Sequence, residues 1–260
     1  MNAELKRLAE TTVLAPAQVA AGTQQIRASV LDQSQLDQPN FTTIHPTDLE
    51  LLLAQYDGLF FGRQLREVLG STPLHFRLSR RMTSAGGKTT RFRDRATGRE
   101  SYEISVSTAI LFGCFRGDDH RPITVSGIVC RDRLDALQRV MEHELAHLVE
   151  MLLWKRSSCA QPRFQAMTRR LFGHTDYRHQ LITPRERALA QFGIQPGMRV
   201  RFRFDGAVRT GLVNRIHKRA TVLVEDPRGT RYSDGKRYAC YYVPVPLLEA
   251  VDDAARGGPG

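Results

Sequence analysis

Residues 132–154 read DRLDALQRVMEHELAHLVEMLLW, and within them His143-Glu144-Leu145-Ala146-His147 is the stretch on which the fold turns. Leu134, Leu137, Met141, Leu145, Leu148 and Leu152 recur at spacings of three and four, which predicts one long helix with an apolar stripe. On such a helix, positions 143 and 147 are one turn apart and share a face. Two neutral imidazoles placed so can bind one zinc ion, at about 2.0–2.1 Å each. Glu144 lies beside them, where a carboxylate can take a proton from a water acidified by the metal.

A catalytic zinc site has three protein ligands as a rule. Three residues downstream can supply the third. Cys159 lies 12 residues after His147 and just before the next helix, and His174 and His179 follow the end of that helix. Glu150, one turn beyond His147, either supports a ligand or faces solvent.

Working outward, Pro162 suits the first turn of a second helix over residues 162–172, and Gly173 suits its end. Upstream, Thr47 or Asp48 can cap a helix whose apolar positions are Leu49, Leu52, Leu53, Tyr56, Leu59 and Phe60. Strands are expected at 74–78, 90–93 and 102–106, with residues 84–89 forming a turn, so this helix leads into a small antiparallel sheet. Residues 1–44 show no sustained period and are expected to form a weakly ordered arm.

The character changes after Gln195-Pro196-Gly197. Residues 198–204 alternate, with Val200, Phe202 and Phe204 on one face and Arg199, Arg201 and Arg203 on the other. Further strands at 211–216, 219–225 and 238–245, punctuated by Asp205-Gly206, Pro227-Arg228-Gly229 and Asp234-Gly235, suggest a small all-β barrel. The expected organisation is an arm (1–44), an α+β domain with the long helix (45–190), a strand-rich domain (196–250) and a flexible tail (251–260).

Charge bears on function. The chain of 260 residues has 38 Lys and Arg against 27 acids, a net of +11. Residues 197–245 hold 11 of those bases and four of those acids, a net of +7. Basic side chains neutralise phosphates and tyrosine faces stack on unpaired bases. Nucleic acid is therefore the expected partner of this domain, through Arg199, Arg201, Arg203, Arg215, Lys218 and Arg219. Tyr232, Tyr238, Tyr241 and Tyr242 are interleaved with those cations. The cysteines, Cys114, Cys130, Cys159 and Cys240, form no CxxC pair, which argues against a disulfide scaffold and for a reducing, cytoplasmic setting. No secretory signal or membrane span is expected.

Tyr56-Asp57-Gly58-Leu59-Phe60-Phe61, the segment Ser79-Arg80-Arg81-Met82-Thr83-Ser84-Ala85-Gly86, HELAH at 143–147 and His179-Gln180-Leu181 together resemble the SprT-like (Spartan-related) zinc metalloprotease domain family. The resemblance covers roughly residues 45–185. It implies a zincin-like fold, bound Zn2+, Glu144 as general base, and a protein substrate; the eukaryotic branch of the family cleaves proteins crosslinked to DNA. The family usually draws its third ligand from a His-Gly-x-x-Phe segment. Here that stretch is Ala160-Gln161-Pro162-Arg163-Phe164, with Cys159 immediately before it. The alternative is a nucleic-acid-binding protein whose zinc site is structural or degenerate.

Overall fold

A computed structural model describes residues 3–251. The chain forms two compact units, Met1–Leu181 and Ile182–Gly260. In the first, α1 (Ala3–Thr11), α2 (Pro16–Gln33), α3 (Pro46–Phe60) and α4 (Gln64–Leu69) precede β1 (Leu74–Ser79), β2 (Gly87–Arg93) and β3 (Glu100–Ser107). Then come α5 (Thr108–Leu111), β4 (Thr124–Val125), β5 (Ile128–Val129), α6 (Arg133–Trp154), α7 (Pro162–Phe172) and β6 (His179–Gln180). The second unit holds α8 (Pro184–Phe192), β7 (Arg199–Phe204), β8 (Ala207–Ile216), β9 (Ala220–Arg231), β10 (Arg237–Val243) and β11 (Glu249–Ala250). The fold is mixed α+β with small sheets.

The long helix predicted over 132–154 is α6, and it is the axis of the first unit. Asp132 caps it, accepting from the Asp135 N–H. Leu134, Leu137, Met141, Leu145 and Leu148 are fully buried, as the stripe predicts. The polar face is buried as well: Glu142, His143, Glu144 and Glu150 are all shielded from solvent. A helix covered all round is walled in by neighbours on every side. One of those neighbours is unexpected.

Residues 3–33 form two helices rather than a weakly ordered arm. Pro16, which looks like a breaker, is the first residue of α2, where its missing N–H costs nothing. Val19, Thr23, Ile26 and Val30 make a buried stripe at spacings of four, three and four, with a threonine hiding the period. Arg27 reaches Asp132 with two hydrogen bonds of 2.8 and 2.7 Å, and Gln138 donates to the Thr23 carbonyl. These bonds fix α2 against α6.

The expected antiparallel sheet is mixed. Its order is β1-β3-β2, with β3 parallel to β1 (Leu74↔Tyr102 to Ser79↔Ser107) and antiparallel to β2 (Gly87↔Val106 to Arg93↔Glu100). The β2–β3 hairpin inserts β3 beside β1, so β2 becomes an edge strand. It starts at Gly87, three residues earlier than expected. A Cβ on Gly87 would come within 2.6 Å of Glu144 Oε1, so only glycine lets β2 approach α6 this closely. A second small sheet of this unit, β5-β4-β6, pairs Val125 with His179.

In the second unit α8 supplies Ala188 to a core of Ile194, Val200, Phe202, Val213 and Val222. The expected boundary at 190 therefore moves back to Leu181. The strands form a five-stranded antiparallel sheet in the order β10-β9-β8-β7-β11. Among the described residues no ladder joins β10 to β11, so the expected barrel is an open, curled sheet. Tyr241 of β10 meets Phe202 and Phe204 of β7 with ring centroids 5.5 and 5.0 Å apart. In a flat sheet strands three places apart would lie about 14 Å from each other, so the curl is strong. Pro227-Arg228-Gly229, expected as a turn, stays within β9 at an irregularity in the ladder. There Gly229 passes so close to the Tyr238 backbone that a Cβ would lie 2.3 Å from it. Residues 252–260, most of the expected tail, lie outside the described residues.

Candidate metal centre

Helix α6 presents His143 and His147 on one face, with their Nε2 atoms 3.1 Å apart. Two nitrogens sharing a tetrahedral zinc at 2.0–2.1 Å would lie about 3.3 Å apart, so the spacing fits. Lys155 ends the helix in the left-handed conformation (φ 59°) and turns the chain back. The returning loop places Ser157 and Cys159 beside His147. The ligand atoms of His143, His147 and Cys159 all lie within 4.8 Å of one another. Phe164, the phenylalanine of the segment that follows, is fully buried against both imidazoles, with centroids 4.9 and 4.5 Å away.

The tautomer of His147 is set by a relay. Ser157 Oγ donates to Glu150 Oε2 at 2.6 Å, so the same oxygen accepts from His147 Nδ1, also at 2.6 Å. The proton then sits on Nδ1, and Nε2 offers its lone pair toward His143. Glu150, for which the sequence allows two roles, is fully buried; its other oxygen accepts from Arg163 Nε at 2.7 Å. Arg163 in turn stacks on Trp154, 4.0 Å from the ring centroid.

Burial lowers both helix imidazoles' affinity for protons, His147 to about 4 and His143 further, aided there by His179 and His147. Both are neutral at pH 7. Facing imidazole nitrogens, one of them bare, are the arrangement a cation stabilises. Burial also raises the Cys159 thiol, so metal uptake there releases a proton. The donor set of two imidazoles and one thiol suits zinc.

Glu144 is buried under β2. Thr89 Oγ1 donates to its Oε2 at 2.8 Å. Desolvation pushes its carboxyl up to about 8, partly offset by the Thr89 hydrogen bond. A group with a pKa near the working pH is suited to both taking and returning a proton.

The three candidates for the third ligand are placed differently. His174 is drawn away: its Nε2 pairs with Glu142 at 2.9 Å, and Glu142 also accepts from Tyr56 Oη and Arg139. Burial works against the Glu142 charge, but Arg139, His174 and Tyr56 outweigh it and hold its carboxyl below the usual range. His179 sits on β6 with its ring 4.3 Å from that of His143, grouping with His143 and Glu144 but not with His147. Cys159 groups with both helix histidines.

His143, Glu144, His147 and His179 line an open cleft of about 520 Å³, with Gly87, Lys88 and Thr89 on one wall and Ser157 and Cys159 on the other. Sequence reasoning missed Ser157, Thr89 and Gly87. No spacing rule points to a serine ten residues after a ligand, and the strand that aims Thr89 begins inside the expected turn.

In the second unit Arg199, Arg201 and Arg203 are exposed on one face of β7, as expected. Arg201 is shared with Glu249 of β11 at 2.6 Å. Arg215, Lys218 and Arg219 are exposed around the β8–β9 hairpin. The ladder Arg199↔Leu212 sets that hairpin toward the Arg199 end of β7. The tyrosines divide. Tyr238 is buried, Tyr241 lies between Phe202, Phe204 and the Arg209 guanidinium, and Tyr232 bonds Cys240. Tyr242 alone of the four is largely exposed.

Among the described residues no helix is long and apolar enough to cross a membrane. No model of a known protein family, no curated protein and no solved structure matches this chain.

Proposed function

We propose that this chain is a zinc-dependent metallopeptidase of the SprT-like, zincin type, with nucleic-acid-associated proteins as its substrates. The observation that carries this reading is the convergence of His143, His147 and Cys159 in one cleft with Glu144 beside them. His143 and His147 would hold the metal through Nε2, and Cys159 through its thiolate. Zinc bound there supplies Lewis acidity, which acidifies water and polarises a carbonyl.

The protein's own groups do the rest. The edge of β2 that faces away from β3 borders the cleft, where an extended polypeptide could add as a further strand. Glu144 accepts a proton from the attacking water and returns it to the departing amine. Thr89 holds that carboxylate in place. His179, whose buried Nε2 has no partner among the described residues, lines the same cleft and can donate to an oxygen that gains charge. Contact with nucleic acid falls to the exposed arginines of β7 and the β8–β9 hairpin. Four free cysteines suit a cytoplasmic setting.

One observation favours a second reading. A thiolate in the ligand set is commonest in structural zinc sites. The chain would then be a nucleic-acid-binding protein with a zinc-stapled fold. Digestion of casein and of a DNA-bound protein, at measured zinc content, separates the two. Cleavage by the native protein but not by Glu144→Gln supports the peptidase. Full zinc occupancy with no cleavage by either favours the structural role.

A further inference from the structure

The cleft does not end at the metal centre. A second hollow of about 500 Å³ continues along the edge of β2, and the two share Lys88, Thr89, Met151 and Ser157 as walls. They form one groove, with the candidate ligands at one end. The other end is lined by five cations, Lys88, Arg91, Arg93, Lys155 and Arg156, and by no acid. Glu100 stands behind it, bonded to Arg91 at 2.5 Å and to Lys155 at 3.1 Å. Among the described residues that leaves Lys88, Arg93 and Arg156 with no acidic partner, all three exposed. Like charges held this close repel one another, so the groove is complementary to an anion.

The backbone narrows the choice of anion. The groove follows β2, an edge strand, and such an edge binds an extended polypeptide by main-chain hydrogen bonds, with alternate side chains reaching the flanking walls. A nucleic-acid strand has no matching alternation of N–H and C=O groups. We infer that the groove selects acidic polypeptide: aspartate or glutamate side chains on one side of the scissile bond meet Lys88, Arg93 and Arg156. This rests on the peptidase reading for its biological meaning, but the binding it asserts does not.

Two fluorogenic peptides test it, one with Asp and Glu flanking a common core and one with Asn and Gln in their place. Binding is measured by anisotropy on zinc-loaded, full-length Glu144→Gln protein. The acidic peptide should bind about tenfold more tightly than its amide twin, as two or three exposed charge pairs provide. The preference should shrink as salt rises. Added Lys88→Glu and Arg156→Glu should bring the affinity ratio to about one or invert it. Because neither side chain is buried, and neither is paired among the described residues, these variants should keep the parent's melting temperature. Equal binding of the two peptides, or a preference that survives both charge reversals, overturns the inference. An oligonucleotide that loses affinity on the reversals while the peptide ratio stays fixed assigns the groove to nucleic acid instead. With native protein, kcat/KM should show the same ratio. Absence of all hydrolysis, with the binding preference intact, would retire the peptidase and keep the groove.

Discussion

The polar residues of α6 and the arginines of β7 answer the same question, where to put charge, in opposite ways. On α6 the charges are buried and tied to named partners. Glu142 holds Tyr56, Arg139 and His174, while Glu150 holds Ser157 and Arg163. On β7 the cations stand in solvent, and among the described residues only Arg201 has an acidic partner, the exposed Glu249. Buried charge is costly unless satisfied, so each α6 partner fixes a geometry. Exposed charge costs little and fixes little, as the proposed contact with a uniform polyanion would require. Substitutions should therefore act sharply and singly on α6, and weakly and cumulatively on β7.

The largest effect expected is on α6. His143→Ala or His147→Ala should strip the metal and end hydrolysis, read by zinc analysis and peptide turnover. Glu144→Gln should keep the metal and lower kcat by about 10²–10⁴. Turnover near the native rate in that variant would remove Glu144 from the mechanism.

Arg133 comes next, as a test of stability rather than chemistry. It is buried at the start of α6 and donates to the carbonyls of Asn40, Phe41, Leu111 and Cys114. Arg133→Leu leaves those carbonyls without their donor. It should cost about 2–4 kcal/mol, measured by denaturant unfolding. A loss below about 0.5 kcal/mol would show that the surrounding loops do not depend on it.

Ser157→Ala sharpens the comparison by removing one link of the relay to His147. The fold should persist and zinc affinity should fall about 10–100-fold. An unchanged affinity would make the relay incidental.

On β7 the expected effects are smaller. Arg199→Ala and Arg203→Ala should each weaken binding to single-stranded nucleic acid a fewfold, and each should reduce the slope of log K against log salt by about 0.7. Zinc content should not change. A single arginine whose loss abolishes binding would break the contrast between the two regions.

Glu100 gives the smallest effect. Arg91 and Lys155 hold its carboxyl down at about 2, below its ordinary 4.5. A folded-state pKa below the unfolded one stabilises above the unfolded value, and the gain is lost as pH falls from 4.5 toward 2. The group is partly exposed, so the gain is less than about 1 kcal/mol. The melting-temperature gap between native protein and Glu100→Gln should be present at pH 7 and mostly gone at pH 2.5.

Much of this was legible in the sequence where apolar spacing and turn chemistry act alone. The α6 stripe, the Pro162 start and Gly173 end of α7, and the alternating faces of β7 follow from local rules. The failures are places where a partner far along the chain decides. Thr23 stands in the α2 stripe where an apolar residue would have revealed the helix; its backbone carbonyl is taken by Gln138, 115 residues away. Gly87 reads as a turn residue until Glu144 is seen against it. His174 has the spacing of a ligand but is claimed by Glu142, which no local pattern shows. The candidate group of His143, Glu144 and His147 is readable from five residues, whereas only the return loop after Lys155 brings Cys159 near both imidazoles.

The proposed third ligand, Cys159, is the centre of the account, and X-ray absorption at the zinc edge tests it directly. For protein carrying one zinc per chain, the account predicts two nitrogen ligands at about 2.0–2.1 Å and one sulfur at about 2.3 Å. The sulfur should vanish in Cys159→Ser. A shell of nitrogen and oxygen alone, or a sulfur that persists in Cys159→Ser, would contradict it.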